Sequence, residues 1–235
     1  KIEKISKIIK SKKYNVAINL MQSNNIKKST FIKTINKIKS WKVCDILYFA
    51  DSLGAMDHLE VKRLCKLLKN YWKKDFGFHA HDNRSLAISN SLEAIKNSVN
   101  FIDSTILGMG RGAGNLATEK ILFELNRLNI HSGNVKNLSL CFEDFKKLQR
   151  IYSWGSNIFY HSAALNNIHP TYIQTLLSDQ RTGRNNPSLG STDLNFFSSG
   201  TSRDTNFGFN YKVFKGGLSS PYFKTFRGGT YFGNI

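Results

Sequence analysis

The chain has 235 residues, 40% of them hydrophobic, and a formal net charge of +18, enough length for one large domain or two small ones with a sizeable core. No run of about 18 apolar residues occurs, which excludes a membrane-spanning helix, and the cysteines Cys44, Cys65 and Cys141 are odd in number and never spaced Cys-x-x-Cys, as expected of small core hydrophobes in a reducing, cytoplasmic setting. The charge does not mark a nucleic-acid face, because the lysines are dispersed along helical faces, as in Phe31-Ile-Lys-Thr-Ile35-Asn-Lys-Ile38, and no module for reading nucleic acid is recognisable.

Ile2, Ile5, Ile8 and Ile9 fall on one stripe and predict an amphipathic helix over residues 1–12, followed by a strand over 14–22. Helical spacing returns over 29–39 through Phe31, Ile35 and Ile38, and the near-continuous apolar run 44–50, ending in Asp51-Ser-Leu-Gly54, predicts a buried strand. Asp57 is a candidate N-cap for a helix carrying Leu59, Val61, Leu64, Leu67, Leu68 and Tyr71.

Next comes Gly77-Phe-His-Ala-His-Asp-Asn83. In a strand successive side chains alternate, so His79 and His81 emerge on one side with Phe78 and Ala80 on the other. In a helix the same spacing sets the pair about 200° apart. Two imidazoles on one strand face suit a shared metal ion; two polar residues at a strand end is the alternative that spacing leaves open. A helix over 84–98 and a strand over 100–107 lead into Gly108-Met-Gly-Arg-Gly-Ala-Gly-Asn115 and a helix over 118–129.

Four βα units in a row predict parallel strands with helices packed outside, either a (β/α) barrel of TIM type or an open doubly wound sheet. Both place chemistry at the strands' C-terminal ends, where Gln22, Asp51, His81 and Asn115 fall. The glycine loop formally fits a dinucleotide pattern, Gly108-x-Gly110-x-x-Ala113, but no acidic residue ends a following strand and no Gly-Lys-Ser/Thr is present, so neither a Rossmann site nor a P-loop is expected. Its backbone instead meets a helix N-terminus, which favours a carboxylate or phosphate.

Three separated blocks, Phe49-Ala-Asp-Ser-Leu-Gly-Ala-Met56, Gly77–Asn83 and residues 102–119 ending in Gly-Asn-Leu-Ala-Thr-Glu, resemble in order and spacing the metal-dependent barrel family that includes 3-hydroxy-3-methylglutaryl-CoA lyase, 4-hydroxy-2-oxovalerate aldolase and isopropylmalate synthase. The resemblance covers about residues 1–130. It implies His79 and His81 as metal ligands with Asn115 a third ligand or near neighbour, Asp51 as a catalytic residue beside the substrate, and Arg111 and Gly112 as substrate contacts. It implies a divalent ion (Mn2+, Mg2+, Co2+ or Zn2+) chelated by a small-molecule 2-oxo acid, and a pyruvate-type enolate formed as a carbon–carbon bond breaks or forms. The short, cysteine-free glycine loop favours an aldolase-like member; a Claisen-type acyltransferase, a non-catalytic partial barrel and a nucleotide- or nucleic-acid-binding protein are the alternatives.

The pattern of the family also calls for a first strand with an Asp ligand and an adjacent Arg. Neither is found, so the chain is expected to hold the second half of a barrel, and to associate with itself or with an N-terminal half. Beyond residues 1–130, a helical extension is expected over 131–179, with a helix from 144 to 154 and another beginning at His169-Pro170. His169 is a lesser candidate for the site, and His131 and His161 lesser still. Residues 180–235 turn to Gly, Ser, Asn and Thr with scattered aromatics and predict a low-complexity tail, within which only 207–213 alternates as a strand would.

Overall fold

The computed structural model describes residues 1–131 and 135–178. The chain divides into two compact units, Lys1–Pro170 and Thr171–Ile235. The elements of the first unit are α1 (Ile2–Ser11), β1 (Ala17–Leu20), α2 (Lys28–Ser40), β2 (Ile46–Asp51), α3 (His58–Tyr71), β3 (Phe76–Ala80), α4 (Ala87–Lys96), β4 (Phe101–Asp103), α5 (Thr118–Arg127), α6 (Ser139–Tyr152) and α7 (Ile158–Leu165), and α8 (Pro170–Ser178) begins at its end. The expected tail and the alternating stretch 207–213 lie outside the described residues. Among the described residues no helix is long and apolar enough to cross a membrane.

The four strands form one parallel sheet in the order β1-β2-β3-β4, the arrangement expected when each strand is followed by a helix that returns the chain to the same sheet edge. Leu47 pairs with Phe76 and Phe49 with Phe78, so these side chains share a face and pack against Phe31 and Ile35 of α2, Val61, Leu64 and Leu68 of α3, and Ala87 and Ala94 of α4. Phe49 and Phe78 stack with ring centroids 4.7 Å apart. The other face carries Asn19, Tyr48, Gly77 and Phe101 in one row and is partly open, with Phe101 38% exposed.

Local signals place most elements. Asp57 caps α3 by accepting a hydrogen bond from the Glu60 amide at 2.9 Å, and Asn157 caps α7 by accepting from the Phe159 and Tyr160 amides; α7 itself is absent from the sequence-based expectation.

One expectation needs correcting. β4 stops at Asp103, because Ile106–Gly108 turns into a 3-10 segment with Leu107 at φ 51°, leaving a strand of 3 residues. The helix expected from the isoleucine stripe forms as α1, with the stripe facing outward: Ser6 is buried while Ile2, Ile5 and Ile8 are 60%, 48% and 49% exposed. Trp154 Nε1 donates to the Leu107 carbonyl at 2.9 Å and ties the segment before α7 to the start of the glycine loop.

Candidate functional site

β3 presents His79 in register with Ala50 of β2 and Asp103 of β4. His81, one residue beyond the strand, makes an antiparallel bridge to Asn115. The loop is held there by the Asp82 amide, which donates to the Gly114 carbonyl at 3.0 Å, and by the Leu116 amide, which donates to the Ala80 carbonyl at 3.1 Å. The structure thus brings His79, His81 and Asn115 together at the C-terminal end of β3. The two imidazole rings lie 5.1 Å apart, centroid to centroid, and 74° from coplanar.

Each donor has a distinct environment. His79 Nδ1 is 3.1 Å from Asp103 Oδ2, which directs its Nε2 away from the carboxylate. His81 is buried, and burial first, then the positive charge of His79 and Arg111, pushes its pKa down to about 4, so the ring is neutral near pH 7. Its Nδ1 is buried and has no hydrogen-bond partner. Asn115 Nδ2 donates to the Met109 carbonyl at 3.1 Å, which orients the amide, and its Oδ1 is also buried without a partner. Buried polar atoms are ordinarily satisfied, so an orphaned imidazole nitrogen and an orphaned amide oxygen beside an oriented second imidazole fit part of a divalent ion's coordination shell. Among the described residues no group of three or more His, Cys, Asp or Glu side chains converges on a metal position, so this donor set contains no carboxylate.

The glycine loop is compact for a steric reason. Gly114 has φ +88° and a Cβ there would overlap the Gly108 carbonyl oxygen, so only glycine lets the chain turn back this tightly. A Cβ at Gly112 would lie 3.0 Å from the Tyr160 ring, which shows how closely α7 lies on the loop. Arg111 Nη2 is 3.2 Å from His169 Nε2, and burial followed by the Arg111 charge pushes the His169 pKa down. His169 is therefore placed at the loop, where sequence reasoning ranked it low.

Asp51 is not brought to the imidazoles. It pairs with Ala80, on the face opposite His79, and its carboxylate accepts from the Ala55 amide at 2.9 Å and the Met56 amide at 3.0 Å. Burial pushes its pKa up to about 6. Its oxygens hold the turn between β2 and α3. Conversely, Asp103 and Tyr48 escape sequence reasoning. The signal for Asp103 is its place in the alternation Phe101-Ile-Asp103, which sets it one strand over from His79.

A parallel sheet of βα units, with two histidines at the C-terminal end of one strand and a glycine loop folded onto them, defines a fold of the (β/α) barrel type. The chain belongs to the HMGL-like family, whose profile matches residues 1–142. It is 43% identical over 89 residues to 4-hydroxy-2-oxovalerate aldolase of Thermomicrobium roseum, a match covering 38% of this chain and 25% of that protein. The N-terminal domain of a candidate aldolase from Bacteroides vulgatus is 33% identical with a TM-score of 0.67, over 76% of this chain and 60% of that one. HMG-CoA lyase of Bacillus subtilis, at 17% identity and a TM-score of 0.58, shares the fold over 65% of this chain and 55% of that one. The chain spans between 25% and 34% of the length of the first curated relatives it matches.

Proposed function

We propose that this chain is part of a divalent-metal-dependent lyase that cleaves or forms a carbon–carbon bond of a 2-oxo acid. The observation that carries the proposal is the pair of imidazoles of His79 and His81, 5.1 Å apart, with Asn115 bridged to His81 and with His81 Nδ1 and Asn115 Oδ1 both buried and lacking a hydrogen-bond partner. Relatives named 4-hydroxy-2-oxovalerate aldolase support a hydroxylated 2-oxo acid as the substrate class.

His79 through Nε2, His81 and the Asn115 amide oxygen would hold the ion. When bound, a divalent cation supplies Lewis-acid polarisation of the keto oxygen. The residues of the chain do the rest. Burial keeps His81 neutral and so able to donate a lone pair. Asp103 orients His79. Arg111 and the Gly112 backbone stand at the rim, where a guanidinium and a glycine loop before a helix receive a substrate carboxylate. Asp51 serves the β2–α3 turn and not the chemistry. A carboxylate ligand and a base would come from outside the described residues; the partly open sheet face and the greater length of the relatives support this.

The test is Mn2+ titration of the full chain, of His79→Ala and of His81→Ala, with pyruvate release from a 4-hydroxy-2-oxo acid measured in parallel. Weak binding that either substitution abolishes is the expected result, with no turnover until the complementary half is supplied. Equal Mn2+ affinity in all three proteins would overturn the assignment.

A further inference from the structure

We infer that Tyr48, Gly77 and Asp103 form a positioning bracket that holds His79 in its Nδ1–H tautomer and so leaves Nε2 as the donor nitrogen. The inference deepens the metal-site proposal and rests on it for its function, though not for its geometry.

The bracket follows from register. Tyr48, Gly77 and Phe101 lie abreast on the open face of the sheet, and His79 and Asp103 form the next rank on the same face. The Tyr48 ring lies across Gly77, where a Cβ would overlap ring carbons, so the absence of a side chain at position 77 lets the phenol cross β3 toward β4. Phe101 packs against it with centroids 6.4 Å apart. The ring is thereby aimed toward β4, and burial first, then the nearby Asp103 carboxylate, pushes the Tyr48 pKa up; that carboxylate lies 3.1 Å from His79 Nδ1. An ionised carboxylate only accepts hydrogen bonds, so the imidazole nitrogen facing it must carry the proton. A neutral imidazole has one such proton, and Nε2 is therefore left with its lone pair.

Two features raise this above a surface ion pair. The Asp103 side chain is 44% exposed, and a half-exposed carboxylate with one partner spends much of its time turned to water; the Tyr48 ring, laid over Gly77 and against Phe101 beside it, narrows the space into which it can turn. In addition, a free neutral imidazole favours the Nε2–H form, so without the bracket His79 would carry its proton on the nitrogen needed for ligation. Asp103 and Tyr48 are positioning residues, since both are argued to act through His79.

The experiment is long-range 1H–15N NMR of the histidine side chains in the metal-free full chain at about pH 8.5, above the ordinary imidazole range, with the His79 signals assigned by His79→Gln. The expected wild-type state is Nδ1–H. Asp103→Ala should move His79 to Nε2–H, Asp103→Asn should retain Nδ1–H through its amide oxygen, and Tyr48→Phe and Gly77→Ala should each give a mixture. Mn2+ affinity should fall roughly 10–100-fold in Asp103→Ala and less in Tyr48→Phe. Nε2–H in the wild type, or an unchanged tautomer in both Asp103→Ala and Tyr48→Phe, overturns the bracket. Should Asp103→Ala fail to fold, Tyr48→Phe decides alone. If the tautomers change as expected but His81→Ala binds Mn2+ like the wild type, the bracket stands and the metal-site proposal fails.

Discussion

Asp51 is a carboxylic acid buried to 1% exposure whose two oxygens each accept a backbone amide. Those amides favour the ionised form, yet burial outweighs them and lifts the pKa from 3.8 to about 6. Between these values the folded chain keeps a proton that the unfolded chain has released. The stability associated with this group is therefore fully present at low pH, declines as pH rises through the window from about 4 to about 6, and is lost above it. Asp51→Asn removes the titration. Urea unfolding across that window should show a less negative slope of stability against pH in the variant, the two curves diverging by on the order of 3 kcal/mol. Parallel curves would show that the folded chain ionises Asp51 without penalty. At this scale the sequence is a poor guide: Asp51 and His81 both stand at strand ends, and only the face each takes separates a turn-holding carboxyl from a candidate ligand.

Among the elements, β3 and α3 offer the clearest measurements. Phe78 is fully buried and stacked on Phe49, so Phe78→Ala should remove roughly 3–5 kcal/mol of stability by opening a cavity. Asp57→Ala takes one capping hydrogen bond from α3 and should cost about 1 kcal/mol, a fall of about 2–4 °C in Tm for a unit of this size. Calorimetry of the two variants checks both; a Phe78→Ala loss no larger than that of Asp57→Ala would contradict the core described here. Elements with these local marks are legible in the sequence. The apolar spacing of α3, its cap, and the period-two placement of His79 and His81 all lie within a few residues. What escaped depends on longer reach. Asp103 finds His79 across 24 residues through strand register, which no local pattern encodes. β4 ends early because the chain takes a left-handed conformation at Leu107, an unusual choice for a branched apolar residue. α7 is missed because Phe159, Tyr160, Ala163 and Ala164 leave no polar face to reveal a helical period.

For the molecule as a whole, apolar surface and charge act against each other. The open sheet face with Phe101 and the outward isoleucines of α1 favour association with a second copy or with a chain that covers them, whereas a net charge of +18 opposes contact between identical copies. Added salt screens the second effect and leaves the first. Sedimentation velocity should therefore show self-association that strengthens between about 0.05 M and about 0.5 M salt, and Ile5→Lys with Ile8→Lys should weaken it. Association that declines with salt would mean that ion pairs, not apolar contact, join the copies.

The strand order β1-β2-β3-β4 repeats the order in which the residues leave a ribosome. Ala17 pairs with Ile46, and Leu47 with Phe76, so each new strand emerges when its neighbour already exists, at intervals on the order of a few seconds of synthesis. Among the described residues no strand waits for a partner encoded far downstream, and the sheet can lengthen one step at a time. His79 is laid against β2 first, Asp103 arrives with β4, and the glycine loop that bridges to His81 folds over last. The centre of the molecule is thus assembled in the order of its genetic message, with the closing piece made only after the groups it closes upon.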